Sequence, residues 1–172
     1  FALHKELDDL GRHQEAWLAL RKGCASKRAL LRYDAGATAR MFAALRDWTV
    51  AADDAAPAGG AGQAVPVFVV GMHRSGTTLL EQLLDGHSDV RGLGELYDFT
   101  SAMRHATDHH CPGVIDQRII ERAGKADFSA VGKRYLDGIA WRLGGEHFFT
   151  DKLPSNFLNA GFICQALPEA KI

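Results

Sequence analysis

The strongest chemical signal in the sequence is a glycine-bounded segment, Gly71-Met-His-Arg-Ser-Gly-Thr-Thr78, which we call the phosphate loop. Glycines at the spacing of Gly71 and Gly76 let the backbone turn sharply between a strand and a helix. The amide groups of residues 75–79 are then expected to point, unpaired, into one concavity. There the dipole of the first helical turn adds positive potential. Such a concavity binds phosphate or a related anion.

Three hydroxyl side chains, Ser75, Thr77 and Thr78, lie where the following helix begins. They can donate hydrogen bonds to an anion, and hydroxyls at such positions also cap a helix N-terminus. Capping and anion binding place a hydroxyl at the same end of the helix, so the same residue can serve both roles. The apolar run before the loop and the leucine-rich segment after it favour anion binding, because this is the context that a phosphate loop requires.

The position of the cation distinguishes two classes of phosphate loop. In kinases and other nucleoside triphosphatases a lysine directly follows the second glycine, and the next Ser or Thr holds Mg²⁺. Here Thr77 occupies the lysine position, and the cation is Arg74, within the loop. The sequence therefore disfavours a triphosphate with its metal and predicts a less charged anion, such as a phosphosulfate, bound without a metal ion.

Strand and helix patterns alternate around this loop. Val67–Val70 is a short apolar run of mostly β-branched residues, typical of a parallel strand buried on both faces. Thr77–Leu84 has leucines at helical spacing, and Gly86 is a stop signal. Further strands are predicted at His147–Thr150 and from Ala170, and further helices at Tyr97–Thr107, Val114–Ala123, Phe128–Leu143 and Asn156–Leu167. The alternation predicts an α/β fold, a P-loop-type parallel sheet flanked by helices.

Residues 1–50 have a helical pattern instead, which fits one tetratricopeptide-like repeat. The positions that fit this pattern are Leu3, Leu7, Gly11, Ala16 and Leu20. A single repeat cannot bury its own face, so further repeats are expected before Phe1. Helix pairs of this kind often bind peptides, and a plain helical hairpin is an equal alternative.

Three ranges follow from these patterns: a helical region over residues 1–50, a linker, and the N-terminal part of the α/β domain over residues 65–172. Within the first range, Lys27–Trp48 is predicted to be a second helical stretch. Residues 51–64 are rich in Ala, Gly and Pro and are predicted to be a flexible linker. Trp17, Trp48 and Trp141 fall on apolar helical faces and are predicted to be core residues.

The bulk composition gives no reason to expect a nucleic-acid or membrane partner. Among 172 residues, 20 are basic and 21 acidic, so the net charge is close to zero. The three cysteines are widely spaced and do not form a disulfide pattern, and a cytoplasmic location is expected. The chain starts at Phe1 and stops at Ile172 within an apolar run, so we interpret both ends as cut.

A polar cluster before the middle of the domain could suggest a zinc site. Its members are His105, His109, His110 and Cys111. Their spacing is irregular, and no Cys-x-x-Cys pair accompanies them, unlike in structural zinc sites. The cluster is therefore predicted to lie in a solvated loop, and no metal site is predicted.

The phosphate loop and the segments after it resemble the sulfotransferase family. The resemblance is carried by 69–79, 83–90 and Gly94-Glu95, followed in the same order by 151–157 and 162–172. It extends from about Pro66 to Ile172 and is sparse between residues 101 and 147. The chain is most similar to the tyrosylprotein sulfotransferase-like branch, many of whose bacterial members carry tetratricopeptide repeats. The tyrosylprotein enzymes have Pro at the position of His73.

The resemblance implies a donor, a reaction and the residues that carry it. The donor would be 3′-phosphoadenosine-5′-phosphosulfate (PAPS), leaving 3′,5′-adenosine bisphosphate, and the acceptor a hydroxyl of a protein tyrosine or a carbohydrate. Glu95 matches the general base, Lys152 matches the lysine at the bridging oxygen, and Arg74 would contact the phosphosulfate. The implied donor-binding residues are Gly71, His73, Arg74, Ser75, Gly76, Thr77, Thr78 and Leu79.

Two other classes of function stay open at this point: a P-loop kinase or NTPase, and a non-catalytic binding module of the tetratricopeptide type. The family binds the 3′-phosphate of the donor with an Arg and a Ser that follow the Ala-Lys-Ile strand. The resemblance therefore implies that these residues lie beyond Ile172, and that the 172-residue chain alone is inactive.

Overall fold

The computed structural model describes residues 1–48 and 63–172 of the chain. They form two compact units, Phe1–Thr38 and Ala39–Ile172. Most of the predicted linker, residues 51–62, lies outside the described residues, so the division at residues 50 and 65 stays a prediction. In the two described ranges, no helix is both long enough and apolar enough to cross a membrane.

The first unit contains a helical hairpin. Helices α1 (Ala2–Asp9) and α2 (His13–Leu30) are joined through Gly11, whose φ of 72° is a left-handed conformation that glycine adopts without strain. Leu7 and Ala16 of the predicted apolar face are buried, whereas Leu3 of the same face is 63% exposed. A repeat and a plain hairpin share these features, so the tetratricopeptide-like interpretation stays a prediction.

The helix predicted over Lys27–Trp48 is interrupted, which corrects the sequence interpretation. The chain is extended at Leu31, with ψ of 126°, and α3 (Ala35–Arg46) begins afterwards. Asp34 starts this new helix, because its carboxylate accepts a hydrogen bond of 2.9 Å from the amide of Ala37. An aspartate before a helical run competes with helix continuation through this local bond.

The second unit is built on a small parallel sheet, as predicted. Strands β1 (Val65–Phe68), β2 (Val90–Gly92) and β3 (Phe148–Asp151) lie in the order β1-β3-β2. The strand prediction omitted β2, because three residues with Arg91 between Val90 and Gly92 form no apolar run. Lys171 forms a parallel bridge with Val67 at the start of the further strand predicted from Ala170. Because neighbouring strands are parallel, crossover connections must join them, and helices form these connections.

Helices and 3₁₀ turns flank this sheet. They are α4 (Thr77–Asp85), α5 (Asp98–Ala106), α6 (Gln117–Ala123), α7 (Phe128–Ile139) and α8 (Ala160–Ala166), with 3₁₀ turns at Ala140–Arg142 and Pro154–Asn159. Carboxylates cap two of them: Asp116 accepts from the amide of Ile119, and Asp127 accepts from the amide of Ala130. These caps fix where α6 and α7 begin, because they satisfy amides that lack a partner within the helix.

Two of the three tryptophans predicted in the core are exposed. Trp17 is 59% exposed and Trp141 is 77% exposed. Trp48 packs as predicted, with its ring edge-on to Phe162 at a centroid distance of 4.8 Å. Helical spacing identifies an apolar face, but it does not tell whether another element covers that face.

Candidate functional site

The carboxyl ends of the three strands bring the predicted site residues to one edge of the sheet. The phosphate loop follows β1, Lys152 directly follows β3, and Glu95 lies shortly after β2. Because β3 lies between the other two strands, Lys152 occupies the central position. Ligands of open parallel sheets bind beyond this edge, so the topology alone assembles a candidate site.

The phosphate loop has an unusual backbone conformation. Gly71 and Gly76 have φ of 152° and 94°, and the intervening Arg74 has φ of 67°. For an arginine, this left-handed conformation costs roughly 1–2 kcal/mol. Backbone strain of this kind persists where the surrounding structure imposes it, commonly at binding sites. A Cβ on Gly71 would approach Ser75 Oγ to 3.3 Å, so the loop is also tight.

The amides at the start of α4 are available to an anion, with one exception. Within the described residues, the amides of positions 76–79 have no protein acceptor. The amide of Ser75 instead donates to the carbonyl of Met72 at 3.2 Å, and the Ser75 hydroxyl donates to the same carbonyl at 2.6 Å. The prediction that the Ser75 amide is unpaired is therefore wrong: the serine closes the loop internally.

The remaining side chains of the loop are open to solvent. His73, Arg74 and Thr78 are exposed, Thr77 is partly exposed, and Leu79 is 62% exposed on α4. Among the described residues, no carboxylate pairs with the guanidinium of Arg74, and Glu95 pairs with Lys152 instead. The guanidinium is thus a cation that an incoming anion can meet without displacing a protein partner.

Lys152 and Glu95 form an ion pair at the centre of the edge. Lys152 Nζ lies 2.9 Å from Glu95 Oε1, and the side chains are 8% and 50% exposed, respectively. The backbone joins the same segments, because the amide of Lys152 donates to the carbonyl of Gly94 at 2.9 Å. The partner of Lys152 is therefore Glu95, and not Asp151, its neighbour in the chain.

The phosphate loop is attached to the segment that carries Lys152. The amide of Gly71 donates to the carbonyl of Pro154 at 3.1 Å, and the amide of Val69 donates to the carbonyl of Asp151 at 2.9 Å. Together with the bond between Lys152 and Gly94, these contacts link the ends of all three strands. The loop, the ammonium group and the carboxylate therefore form one connected structure.

A buried carboxyl group that the sequence interpretation left without a role lies beside this site. Asp151 is fully buried, and the hydroxyl of Tyr135 donates to its Oδ2 at 3.2 Å. Burial raises the pKa of Asp151 to about 7, although the hydrogen bond from Tyr135 acts in the opposite direction. Burial and the charge of Asp151 also raise the pKa of Tyr135 well above its ordinary value. The apolar run before Asp151 was a signal that this carboxyl is buried.

The histidine cluster is divided between loop and helix. His109 Nε2 lies 2.8 Å from Asp116 Oδ2, while Cys111 is buried and its thiol donates to the carbonyl of Gly113. His110 is exposed, and His105 lies in α5, within the helix predicted over Tyr97–Thr107. In residues 1–48 and 63–172, no group of three or more His, Cys, Asp or Glu side chains could hold a metal ion.

Comparisons with known proteins match most of the second unit. A family model described as "Sulfotransferase family" matches residues 66–172. An "Uncharacterized protein" of Aquifex aeolicus (strain VF5) is 37% identical over 120 residues, which cover 62% of this chain. The chain spans about 15% of the length of that relative. The matched family region starts just before the phosphate loop and includes Glu95 and Lys152.

Proposed function

This chain belongs to the sulfotransferase family, and from that premise we propose that the full-length protein transfers a sulfuryl group from PAPS to an acceptor hydroxyl. The observation that carries the proposal is the single sheet edge where free amides, a buried lysine and a glutamate are joined. The acceptor class that we propose is a protein tyrosine or a carbohydrate.

The residues of the phosphate loop fit a donor with one sulfated phosphate. The amides at the start of α4 and the exposed guanidinium of Arg74 supply positive potential without a metal ion. Thr77, at the position of the usual lysine, adds only a hydroxyl. This combination favours a phosphosulfate over a triphosphate, whose larger charge normally requires lysine and Mg²⁺.

When bound, the donor supplies an activated sulfuryl group: the acceptor oxygen bonds to sulfur as the bond from sulfur to the phosphate oxygen breaks, and that oxygen keeps the electron pair. Glu95 takes the proton of the acceptor hydroxyl. Lys152 provides positive charge for the oxygen that becomes anionic, and Arg74 adds a second source of such charge. The ammonium of Lys152 is buried, so its field is less screened than that of a surface lysine.

The proposal is tested by donor binding and by transfer. We expect the full-length protein to bind 3′,5′-adenosine bisphosphate in isothermal titration calorimetry without a metal ion, and to transfer radiolabelled sulfate from PAPS to a tyrosine peptide or an oligosaccharide. Arg74→Ala, Glu95→Gln and Lys152→Met should each lower kcat at least 100-fold, because each removes charge or a base from the transition state.

The matched control is Arg118→Ala, which removes an exposed arginine from α6 and should leave transfer unchanged. Binding of ATP with Mg²⁺ in preference to the bisphosphate would contradict the proposal and favour a kinase or NTPase. Wild-type turnover by Glu95→Gln would reject the role of the base while leaving donor binding intact.

A further inference from the structure

Helix α4 presents a carboxylate, rather than its leucines, to the interior. Glu81 is 8% exposed and is the buried residue of this helix, whereas Leu79 and Leu83 are 62% and 69% exposed. Buried carboxylates are costly unless hydrogen bonds satisfy them, so a glutamate that is more buried than the leucines of its helix requires a structural reason. The sequence pattern gave no hint of this arrangement, since acidic residues on an amphipathic helix usually face solvent.

Two carboxylates of α4 accept hydrogen bonds from the backbone that leads to Glu95. The amide of Gly94 donates to Glu81 Oε1 at 2.8 Å, and the amide of Gly92 donates to Asp85 Oδ1 at 2.5 Å. Residues four apart lie on one face of a helix, and alternate amides of an extended chain point to the same side. The spacing of the two carboxylates therefore fits the spacing of the two amides. The carboxylates accept the hydrogen bonds that the carbonyls of a neighbouring strand would otherwise accept.

Glu81 also connects this segment to the central strand. The hydroxyl of Thr150, in β3, donates to Glu81 Oε1 at 2.9 Å, and both residues are buried. On its other side, Gly94 accepts the bond from the amide of Lys152. The residue directly before Glu95 is thus held at its amide by α4 and at its carbonyl by the segment after β3.

Glycine is favoured at both contact points. A Cβ on Gly92 would lie 2.8 Å from Asp85 Oδ1, which is closer than real Cβ atoms approach other atoms. Gly94 has φ of 72°, a left-handed conformation that disfavours residues with a side chain. The two glycines let the backbone approach the helix and then turn so that Glu95 follows.

We infer that Glu81 and Asp85 are positioning residues, which fix the backbone of Glu95 to the helix that begins at the phosphate loop. The inference rests on the proposed function in one respect, namely that Glu95 is the base. Helix α4 then positions two reacting groups. Its first turn faces the donor, and its buried carboxylate holds the segment that carries the base. A displacement of about 1 Å in such a group can lower a rate about 100-fold.

The test compares three substitutions on α4. Glu81→Leu removes the acceptor, Glu81→Gln keeps an acceptor oxygen without the charge, and Gln82→Leu is a control at an exposed position of the same helix. Two measurements apply to each: hydrogen exchange at the amides of Gly92 and Gly94 by NMR, and kcat, KM and bisphosphate affinity in the full-length protein.

We expect Glu81→Leu to accelerate exchange at Gly94 at least 10-fold and to lower kcat roughly 100-fold. Bisphosphate affinity and the KM for PAPS should stay within about threefold of wild type, because the loop amides are retained. Glu81→Gln should restore both exchange protection and most of kcat, since its amide oxygen still accepts the two hydrogen bonds. A purely structural role would lower binding and turnover together.

Equal exchange at Gly94 in Glu81→Leu and Gln82→Leu would overturn the inference, and so would equal kcat in those two variants. Should Glu81→Leu fail to fold, the pair Asp85→Ala and Asp85→Asn tests the same inference through exchange at Gly92. Absence of transfer by the wild-type protein would reject the proposed function and with it the role of the base. Exchange at Gly94 would then decide separately whether α4 holds this segment.

Discussion

At the scale of single residues, the pair of Lys152 and Glu95 joins two groups in different environments. The ammonium is almost fully buried, whereas the carboxylate is half exposed and can meet a substrate. Adjacency along the chain does not predict this pairing, because the two positions are 57 apart in sequence and the sheet order brings them together. The sequence predicted only the residue types of Lys152 and Glu95 and that each follows a short apolar segment.

The pairing leads to a stability prediction for Glu95. Glu95→Ala leaves a buried ammonium without its acceptor, and we expect the free energy of unfolding to fall by about 1–3 kcal/mol. Glu95→Gln keeps an oxygen for Lys152 and should cost less. Urea unfolding of the two variants measures the difference, with Glu121→Ala as a control at an exposed helical glutamate. Equal stability of Glu95→Ala and wild type would mean that solvent satisfies Lys152 equally well.

The backbone of Arg74 leads to a second prediction, which separates conformation from charge. Arg74→Gly and Arg74→Ala both remove the guanidinium, and only glycine adopts the φ of 67° without strain. We expect the glycine variant to be more stable than the alanine variant by about 1 kcal/mol.

Both Arg74 variants should weaken binding of 3′,5′-adenosine bisphosphate at least 10-fold, because the charge is lost in each. Thermal unfolding and isothermal titration measure the two effects independently. Identical unfolding curves would show that the loop relaxes when the arginine is replaced. Undiminished affinity would remove Arg74 from the donor site.

At the scale of elements, the sequence predicted β1, β3 and most helices of the second unit, but it missed β2 and several interactions at the ends of elements. The runs near Val67 and Phe148 form strands because continuous apolar residues fit a sheet covered on both faces. The break at Leu31 and the inward-facing Glu81 were missed, since both depend on hydrogen bonds that no periodicity records.

The same limit applies to the phosphate loop. Its position between β1 and α4 could be predicted from two glycines, a strand pattern and a helix pattern. The internal bond from the amide of Ser75 to Met72 could not, because it depends on how the tight loop turns between its glycines. Local sequence thus predicts where an anion-binding loop lies, while its exact set of free amides requires the three-dimensional structure.

At the scale of the whole molecule, an aromatic core lies next to the site. Tyr135 is fully buried, and its ring lies 5.6 Å from that of Phe68 and 5.8 Å from that of Phe99, measured between centroids. Its hydroxyl reaches Asp151, directly before Lys152. The packing of the core and the end of the central strand are therefore coupled through one buried carboxyl group.

This coupling predicts how global stability depends on pH. The pKa of Asp151 rises from about 3.8 in the unfolded chain to about 7 in the fold, so the native state binds the proton more tightly. The stabilisation is fully present below pH 4 and is lost as pH rises through 7. Between pH 5 and pH 8 the loss should be about 2–3 kcal/mol. Because other groups also titrate, the comparison with Asp151→Asn isolates this contribution.

Asp151→Asn keeps the shape of the side chain and cannot ionise, so its urea unfolding free energy should vary less with pH than that of wild type. The Tyr135 hydroxyl can still pair with the new side chain, because a hydroxyl both donates and accepts. Asp137→Asn, at an exposed position of α7, should retain the wild-type pH dependence. Parallel profiles for wild type and Asp151→Asn would mean that Asp151 ionises in the fold as it does in water, and that its burial does not link the core to the end of β3.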